Sequence, residues 1–155
     1  MPTAVTPLFA WPKPTEALEL PDLIRMLNLW KPAGIITLNL DGGGSAIAAG
    51  GTLYLPVPKF KFIITGWTMI GDNAGGSTVV DIWKAAYPTV PTVANTITAA
   101  AKPTLTAAQV NRATDVPTWT DQTVEEDDIL AFHVDSNSLN TRVTLSVSIA
   151  RGDWR

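Results

Sequence analysis

Apolar and polar residues alternate with a period of two over much of this chain. The clearest case is residues 141–150, in which valine, leucine and isoleucine alternate with threonine and serine. The same alternation recurs at residues 36–40, 52–57 and 129–134. Alternation turns one side of an extended strand toward a core. With about seven or eight such strands, the pattern predicts an all-β fold, an antiparallel two-sheet sandwich of jelly-roll type.

Residues 60–84 form the centre of this pattern, as two apolar segments joined by a turn. The turn at 71–76 is rich in glycine, aspartate and asparagine, which suit tight reversals. The segment therefore predicts a β-hairpin onto which the other strands pack. In its first arm the apolar phase switches at Gly66, which predicts a β-bulge or a corner there. Pro56 and Pro58 predict that the strand at 52–57 lies at a sheet edge or breaks between two sheets.

The first 34 residues differ from the rest and are interpreted as an N-terminal arm ahead of a sandwich domain at 35–155. They hold six of the twelve prolines, and such a density favours extended backbone without ladder hydrogen bonds. A short helix is predicted at 21–30 from its apolar spacing. Three apolar residues of the arm, Leu8, Phe9 and Trp11, predict that it docks on a neighbouring subunit; the alternative is that it folds back on its own domain.

Composition limits the possible functions. Hydrophobic residues make up 46% and charged residues 16%, which suggests that other subunits cover part of the surface. The net charge of −3 and the absence of a basic run argue against a nucleic-acid binder. The chain has no cysteine, no signal-peptide pattern and no apolar run of the ~20 residues that a spanning helix needs. A protein made in the host cytoplasm and lacking a membrane span is expected.

Short motifs follow one another in a specific order between residues 50 and 150. They are YLPV at 54–57, GWT at 66–68, VDIWK at 80–84, KPTL at 102–105, DILAFHVDS at 128–136 and RVTL at 142–145. In this order they resemble a β-sandwich module of tailed-bacteriophage virion proteins. The resemblance implies a structural or attachment role without catalytic residues. Because the module stands alone behind a short arm, it looks more like a capsid decoration or minor virion protein than a fibre tip.

Aromatic side chains supply one candidate binding site. Trp67, Trp83, Tyr87 and Trp119 can form a platform for sugar rings, or they can be core residues, as strand tryptophans usually are. Asp81, next but one to Trp83, can bind a sugar hydroxyl. The alternative is an exposed strand residue that pairs with Lys84 or another neighbour.

Acidic residues supply a second candidate site. The run at 125–128, together with Asp121, can hold calcium, which prefers clustered oxygens, or it can be a solvated turn. His133 alternates with Phe132 and Val134, so it is expected to face the other side of its strand. It is the chain's one histidine, and we expect no catalytic residue, no bound metal and no cofactor.

Together these patterns predict a non-enzymatic structural protein of a phage virion, either a capsid decoration or a minor head or tail protein. Its expected partners are other virion proteins and copies of itself, with a trimer as one option, and its expected location is the virion. The alternative is a carbohydrate- or receptor-binding module of a phage fibre. A glycan hydrolase is a third hypothesis, for which no carboxylate pair stands out.

Overall fold

The computed structural model describes residues 33–56 and 59–151. The predicted arm, with Leu8, Phe9 and Trp11, and the predicted helix at 21–30 lie outside the described residues. Within them no helix is long and apolar enough to cross a bilayer.

Nine strands and one 3-10 turn make up the described chain. The strands are β1 (Ala33–Asp41), β2 (Thr52–Pro56), β3 (Phe62–Gly71), β4 (Ser77–Ala86), β5 (Thr104–Leu105), β6 (Val110–Ala113), β7 (Thr123–Val124), β8 (Asp128–Ser138) and β9 (Arg142–Arg151), with the 3-10 turn at Val93–Asn95. The long strands coincide with the alternating segments. In β9, Val143, Leu145 and Val147 are fully buried, while Thr144 and Ser146 are more exposed.

The strands form two antiparallel sheets whose order is that of a jelly roll. One sheet runs β1-β9-β3-β6, with β7 also paired to β3, and the other runs β2-β8-β4-β5. Successive strands from β1 to β4 alternate between the sheets, so their connections cross from one layer to the other. This double-sheet order occurs in viral capsid and lectin domains, among others. The predicted all-β two-sheet sandwich is confirmed.

The core lies between the two sheets and draws on almost every strand. Its fully buried large side chains are Phe62, Ile64, Met69, Val80, Ile82, Leu105, Val124, Leu130, Phe132, Val143, Leu145 and Val147. Strand β9 is central in its sheet, between β1 and β3, so Leu145 lies opposite Leu38 on one side and Met69 on the other. Burying apolar surface at about 25 cal/mol per Å² makes these rows the main source of stability.

Two local predictions about strands β2 and β3 are confirmed. The register of β3 against β9 shifts between Ile64 and Gly66, as expected for a bulge where the apolar phase switches. Strand β2 lies at the edge of its sheet and ends at Pro56, a residue that cannot donate a ladder hydrogen bond.

The predicted central hairpin is wrong in its pairing. A turn does connect β3 to β4, but β3 pairs with β9 and β4 pairs with β8, in different sheets. Each arm has its own face toward the core, and the residues between Gly71 and Ser77 carry the chain across the sandwich. Sheets pack about 10 Å apart, a distance that a connection of this length spans. The segment is therefore a link between layers.

We expect Gly66→Ala to lower the free energy of unfolding by about 2 kcal/mol. A Cβ at this bulge would lie closer to the carbonyl oxygen of Ala113 on β6 than van der Waals contact allows, and backbone cannot move aside cheaply. Urea denaturation measures the loss. Gly51→Ala is the matched control, because its Cβ would meet its nearest atom, the oxygen of Ala48, at an ordinary 3.6 Å. Equal effects of the two substitutions would contradict the argument.

Candidate functional site

A charged cluster lies on the outer face of the β2-β8-β4-β5 sheet. Asp81 on β4 and His133 on β8 are opposite one another in the ladder. Their sequence neighbours, Ile82 and Phe132, point into the core, so these two side chains point away from it. The expected orientation of His133, opposite to that of Phe132 and Val134, is thereby confirmed.

The connection from β4 to β5, residues 87–103, closes over Asp81. The hydroxyls of Thr96 and Thr98 each donate to Asp81 Oδ1 at 2.6 Å. Lys102 Nζ lies 3.0 Å from Asp81 Oδ2 and 2.5 Å from Asp135 Oδ2. With its side chain only 1% exposed, Asp81 fixes this connection, here called the 87–103 loop, to the sheet.

The expectation that Asp81 is an exposed strand residue, paired with Lys84 or a neighbour, is therefore wrong. Lys84 lies on the inward-facing side of β4, near one end of the sandwich. Its Nζ donates to Asp121 Oδ2 and to the carbonyl of Thr123, both at 2.6 Å, and lies 3.6 Å from Asp128 Oδ2. Alternation places the two residues on opposite sides of β4, because they are three positions apart.

Most of the acidic residues of the candidate calcium site form ion pairs with lysines. Lys59 pairs with Asp127 and Lys61 with Glu125, both at 2.7 Å, while Lys84 holds Asp121 and Asp128. Each lysine neutralises a carboxylate that a cation would need. No group of three or more histidine, aspartate or glutamate side chains that could bind a metal ion occurs in the described part of the chain.

The four aromatic residues of the proposed sugar platform are in different places. Trp67 and Trp119 are buried in the core at 6% and 5% exposure. Trp83, at 7%, stacks on the His133 ring with centroids 4.4 Å apart. Only Tyr87, at the start of the 87–103 loop, is open, with 74% exposure. Tryptophans buried to this degree offer no free face on which a sugar ring could stack.

The fold also brings together three residues that the sequence does not link. Thr52 Oγ1 lies 2.8 Å from His133 Nδ1, and His133 Nε2 lies 3.9 Å from Asp135 Oδ1. The order hydroxyl, imidazole, carboxylate is that of a nucleophilic triad. The last distance exceeds a hydrogen bond, and Lys102 already binds this carboxylate. Because Thr52 and His133 meet only through the β2–β8 register, sequence spacing carries no signal of this contact.

Apolar side chains are exposed in several places on the described surface. The 87–103 loop exposes Tyr87, Val90 and Val93, and strand β2 exposes Tyr54. The others with large exposure are Ile35, Leu53, Ile70, Val110 and Leu139. Such side chains are available for contacts with another chain.

We expect Asp81→Asn to reduce stability at neutral pH by about 2 kcal/mol, because a charged acceptor of several hydrogen bonds is lost. Burial raises the pKa of Asp81, but hydrogen bonds from the Thr96 and Thr98 hydroxyls and the ion pair with Lys102 outweigh it, so the pKa lies below the ordinary 3.8. A depressed folded pKa gives stability that is present above the unfolded pKa and lost as pH falls through the folded one.

The two proteins should therefore converge in stability as the pH falls below about 4. Urea denaturation from pH 3 to pH 7 measures this. Asp115→Asn, an exposed aspartate elsewhere, is the control and should leave the pH profile unchanged. A constant difference between Asp81→Asn and the parent across that range would contradict the assignment.

Comparison with known proteins gives no family. No protein-family description and no curated protein matches the chain. Among solved structures, that of infectious bursal disease virus Gx strain is 13% identical over 80% of this chain, with a TM-score of 0.36. The coat protein dimer of Tobacco streak virus is 9% identical over 79% of this chain and 88% of that chain, with a TM-score of 0.31. The chain spans 31% of the length of the first of these proteins. These are weak likenesses of fold.

Proposed function

We propose that this chain is a non-enzymatic structural subunit of a virion, which acts through contacts between subunits. The observation that carries the proposal is the strand order of its two sheets, a jelly roll, an architecture that viral capsid domains use. The motif order between residues 50 and 150, which resembles tailed-phage virion proteins, points the same way. We further propose that the virion is that of a tailed phage and that the chain is a decoration or minor head or tail protein.

The charged cluster supports a mechanical role for its residues. Asp81, Thr96, Thr98 and Lys102 bind one another and hold the 87–103 loop against β4. This anchoring presents Tyr87, Val90 and Val93 at a fixed place on the surface. A pre-ordered apolar loop loses little conformational entropy on contact, which favours subunit packing.

The residues ahead of the sandwich supply a second contact in this proposal. We expect deletion of residues 1–20 to leave the sandwich folded, with a similar unfolding transition, and to abolish its incorporation into particles. Leu8, Phe9 and Trp11 would be lost, and a proline-rich segment adds little to a sheet. Circular dichroism measures folding, and sedimentation with particles measures incorporation.

Full-length variants separate the arm's side chains from its length. Replacing Leu8, Phe9 and Trp11 with serine should reproduce the loss, whereas replacing Thr3, Thr6 and Thr15 with serine should not. If the deleted protein fails to fold, residues 1–20 belong to its own core. If it is incorporated normally, the contact with neighbours lies on the sandwich.

The virion assignment is tested by peptide mass spectrometry and subunit-resolution electron microscopy of particles from the source. Stoichiometric presence of the chain in purified particles is the expected result. Its absence from particles would overturn the proposal whatever the state of the isolated chain.

A carbohydrate- or receptor-binding module is the second candidate, favoured by one observation. Tyr87 is 74% exposed on an anchored loop of a fold that lectin domains also use. Specific glycan-array binding that is lost in Tyr87→Ala, without loss of stability, would support this candidate over the first.

A further inference from the structure

Within the described residues, strand β1 is an edge strand whose own sequence and geometry carry none of the usual protecting devices. It lies at the end of the β1-β9-β3-β6 order, and its nine residues pair with β9 without a register shift. Natural edges are blunted by shortness, proline, lysine or bulges. The sequence AGIITLNLD has no proline and no lysine, and its one charge, Asp41, comes at the end.

The other edges of the described sheets contrast with β1. Strand β2 has five residues and ends at Pro56, while β5 and β7 have two residues each and β6 has four. Of the described edge strands, only β1 offers a long, regular row of backbone groups on the side away from its partner strand. Its outer surface adds Ile35, which is 69% exposed.

We propose that β1 pairs antiparallel with β1 of a second copy, across a two-fold axis at Thr37, and joins the two β1-β9-β3-β6 sheets into one. This register uses all nine residues. It places Ile35 opposite the partner's Asn39 and Ala33 opposite the partner's Asp41. Odd-numbered residues then face odd-numbered residues, so the buried faces of both sheets stay on one side. Like charges do not face one another, because Asp41 is the strand's only charge.

A second copy fits this edge better than the N-terminal residues of the same chain. Residues 1–32 contain six prolines, each of which lacks a ladder donor, and Pro32 directly precedes β1. Their longest proline-free segment, 22–31, has the 3–4 apolar spacing of a helix. Strand β1 is itself free of proline and alternating, which is the pattern that strand addition requires.

The absence of cysteine from the chain permits a direct test by disulfide cross-linking. In the full-length protein, Thr37→Cys should give a disulfide dimer under mild oxidation. Ile35→Cys should cross-link to Asn39→Cys when the two proteins are mixed. Neither should cross-link to itself, because residue 35 of one copy lies about 13 Å along the strand from residue 35 of the other.

Thr65→Cys is the matched control on the same sheet. Thr65 lies on β3, two strands in from β1, and is exposed. In the proposed dimer the two copies of this residue are separated by about five strand spacings, roughly 24 Å, too far for a disulfide. Its failure to cross-link shows that collision alone does not produce the Thr37→Cys dimer.

Thr37→Lys tests the same pairing without cysteine. It places two ammonium groups directly opposite one another at the two-fold axis, and their repulsion disfavours the dimer. Because residue 37 is exposed, the substitution should leave the fold of each copy intact. Sedimentation equilibrium should show a concentration-dependent dimer in the parent and in Thr65→Lys, and at least a tenfold weaker one in Thr37→Lys.

The inference rests on the proposed function, because it names the partner in assembly, but the two can fail separately. A dimer that survives Thr37→Lys, a monomer at all concentrations, or cross-linking without register preference would overturn the β1 pairing and leave the virion assignment standing. A register-specific dimer formed by a chain absent from particles would support the pairing and overturn the virion assignment.

Discussion

Leu145→Asp is expected to leave the sandwich unfolded at 25 °C. Leu145 is fully buried at the centre of β9, opposite Leu38 and Met69, which are also buried. The substitution removes roughly 2–3 kcal/mol of apolar burial. It also puts a carboxylate among the buried apolar side chains of the core, at a further cost of several kcal/mol. Their sum approaches the whole stability of a typical domain, about 5–15 kcal/mol.

Two further substitutions separate the effect of the lost side chain from the effect of the buried charge. Leu145→Ala should keep the fold and cost about 2–5 kcal/mol, as expected for a cavity without a buried charge. Ser146→Asp, one position along on the outer face opposite Thr37 and Thr68, should cost less than about 1 kcal/mol. Circular dichroism and urea denaturation measure all three. A Leu145→Asp protein that melts like the parent would mean that the two faces of β9 are exchanged.

Alternation within single strands carries most of the information that predicts this fold. Burial on one face of a strand dictates a period of two. That period is present at 141–150, which is β9, and at 129–134, which is the first half of β8. The bulge at Gly66 was predictable for the same reason, since an extra residue reverses the phase of every later side chain.

Strand pairing was not predictable in this way. The segments β3 and β4 are joined by a turn typical of hairpins, yet they belong to different sheets. Alternation indicates which side of a strand is buried, but it carries no information about which other strand pairs with it. The short strands β5 and β6 have too few residues to show a period, so the weakly periodic stretch at 85–118 gave no strand prediction.

The charged cluster was beyond sequence prediction for a related reason. Asp81 meets Thr96 and Lys102 only because the 87–103 loop runs back along β4, and His133 meets Thr52 only through the β2–β8 register. The sequence could identify His133 as outward-facing. It could not indicate that the outer face of β4 is covered, which is why Asp81 was expected to be exposed.

A buried amide closes the end of the sandwich where β3 joins β4. Asn140, between β8 and β9, is fully buried. Its Nδ2 donates to Thr78 Oγ1 at 2.8 Å, and its Oδ1 accepts from the backbone N–H of Asn73 at 3.2 Å. The Thr78 hydroxyl in turn donates to Asn137 Oδ1 at 2.6 Å. The amide therefore links the β8–β9 turn to the β3–β4 connection and, through Thr78 on β4, to Asn137 on β8.

Asn140→Ala is expected to lower the free energy of unfolding by about 2–4 kcal/mol, because it opens a cavity, removes the acceptor of the Asn73 N–H and removes the donor to the buried Thr78 hydroxyl. Gly76→Ala should cost about 2–3 kcal/mol, since its new Cβ would lie 2.6 Å from Asn140 Cγ.

The two substitutions should be coupled, because Asn140→Ala removes the side-chain atoms that the new Cβ of Gly76→Ala would meet. The combined variant should therefore cost at least about 1 kcal/mol less than the sum of the single substitutions. Urea denaturation of all four proteins measures this coupling. Gly51→Ala, whose Cβ would meet no atom of Asn140, should be additive with Asn140→Ala. Additivity of Gly76→Ala with Asn140→Ala as well would show that the close packing of Gly76 on Asn140 does not constrain the fold.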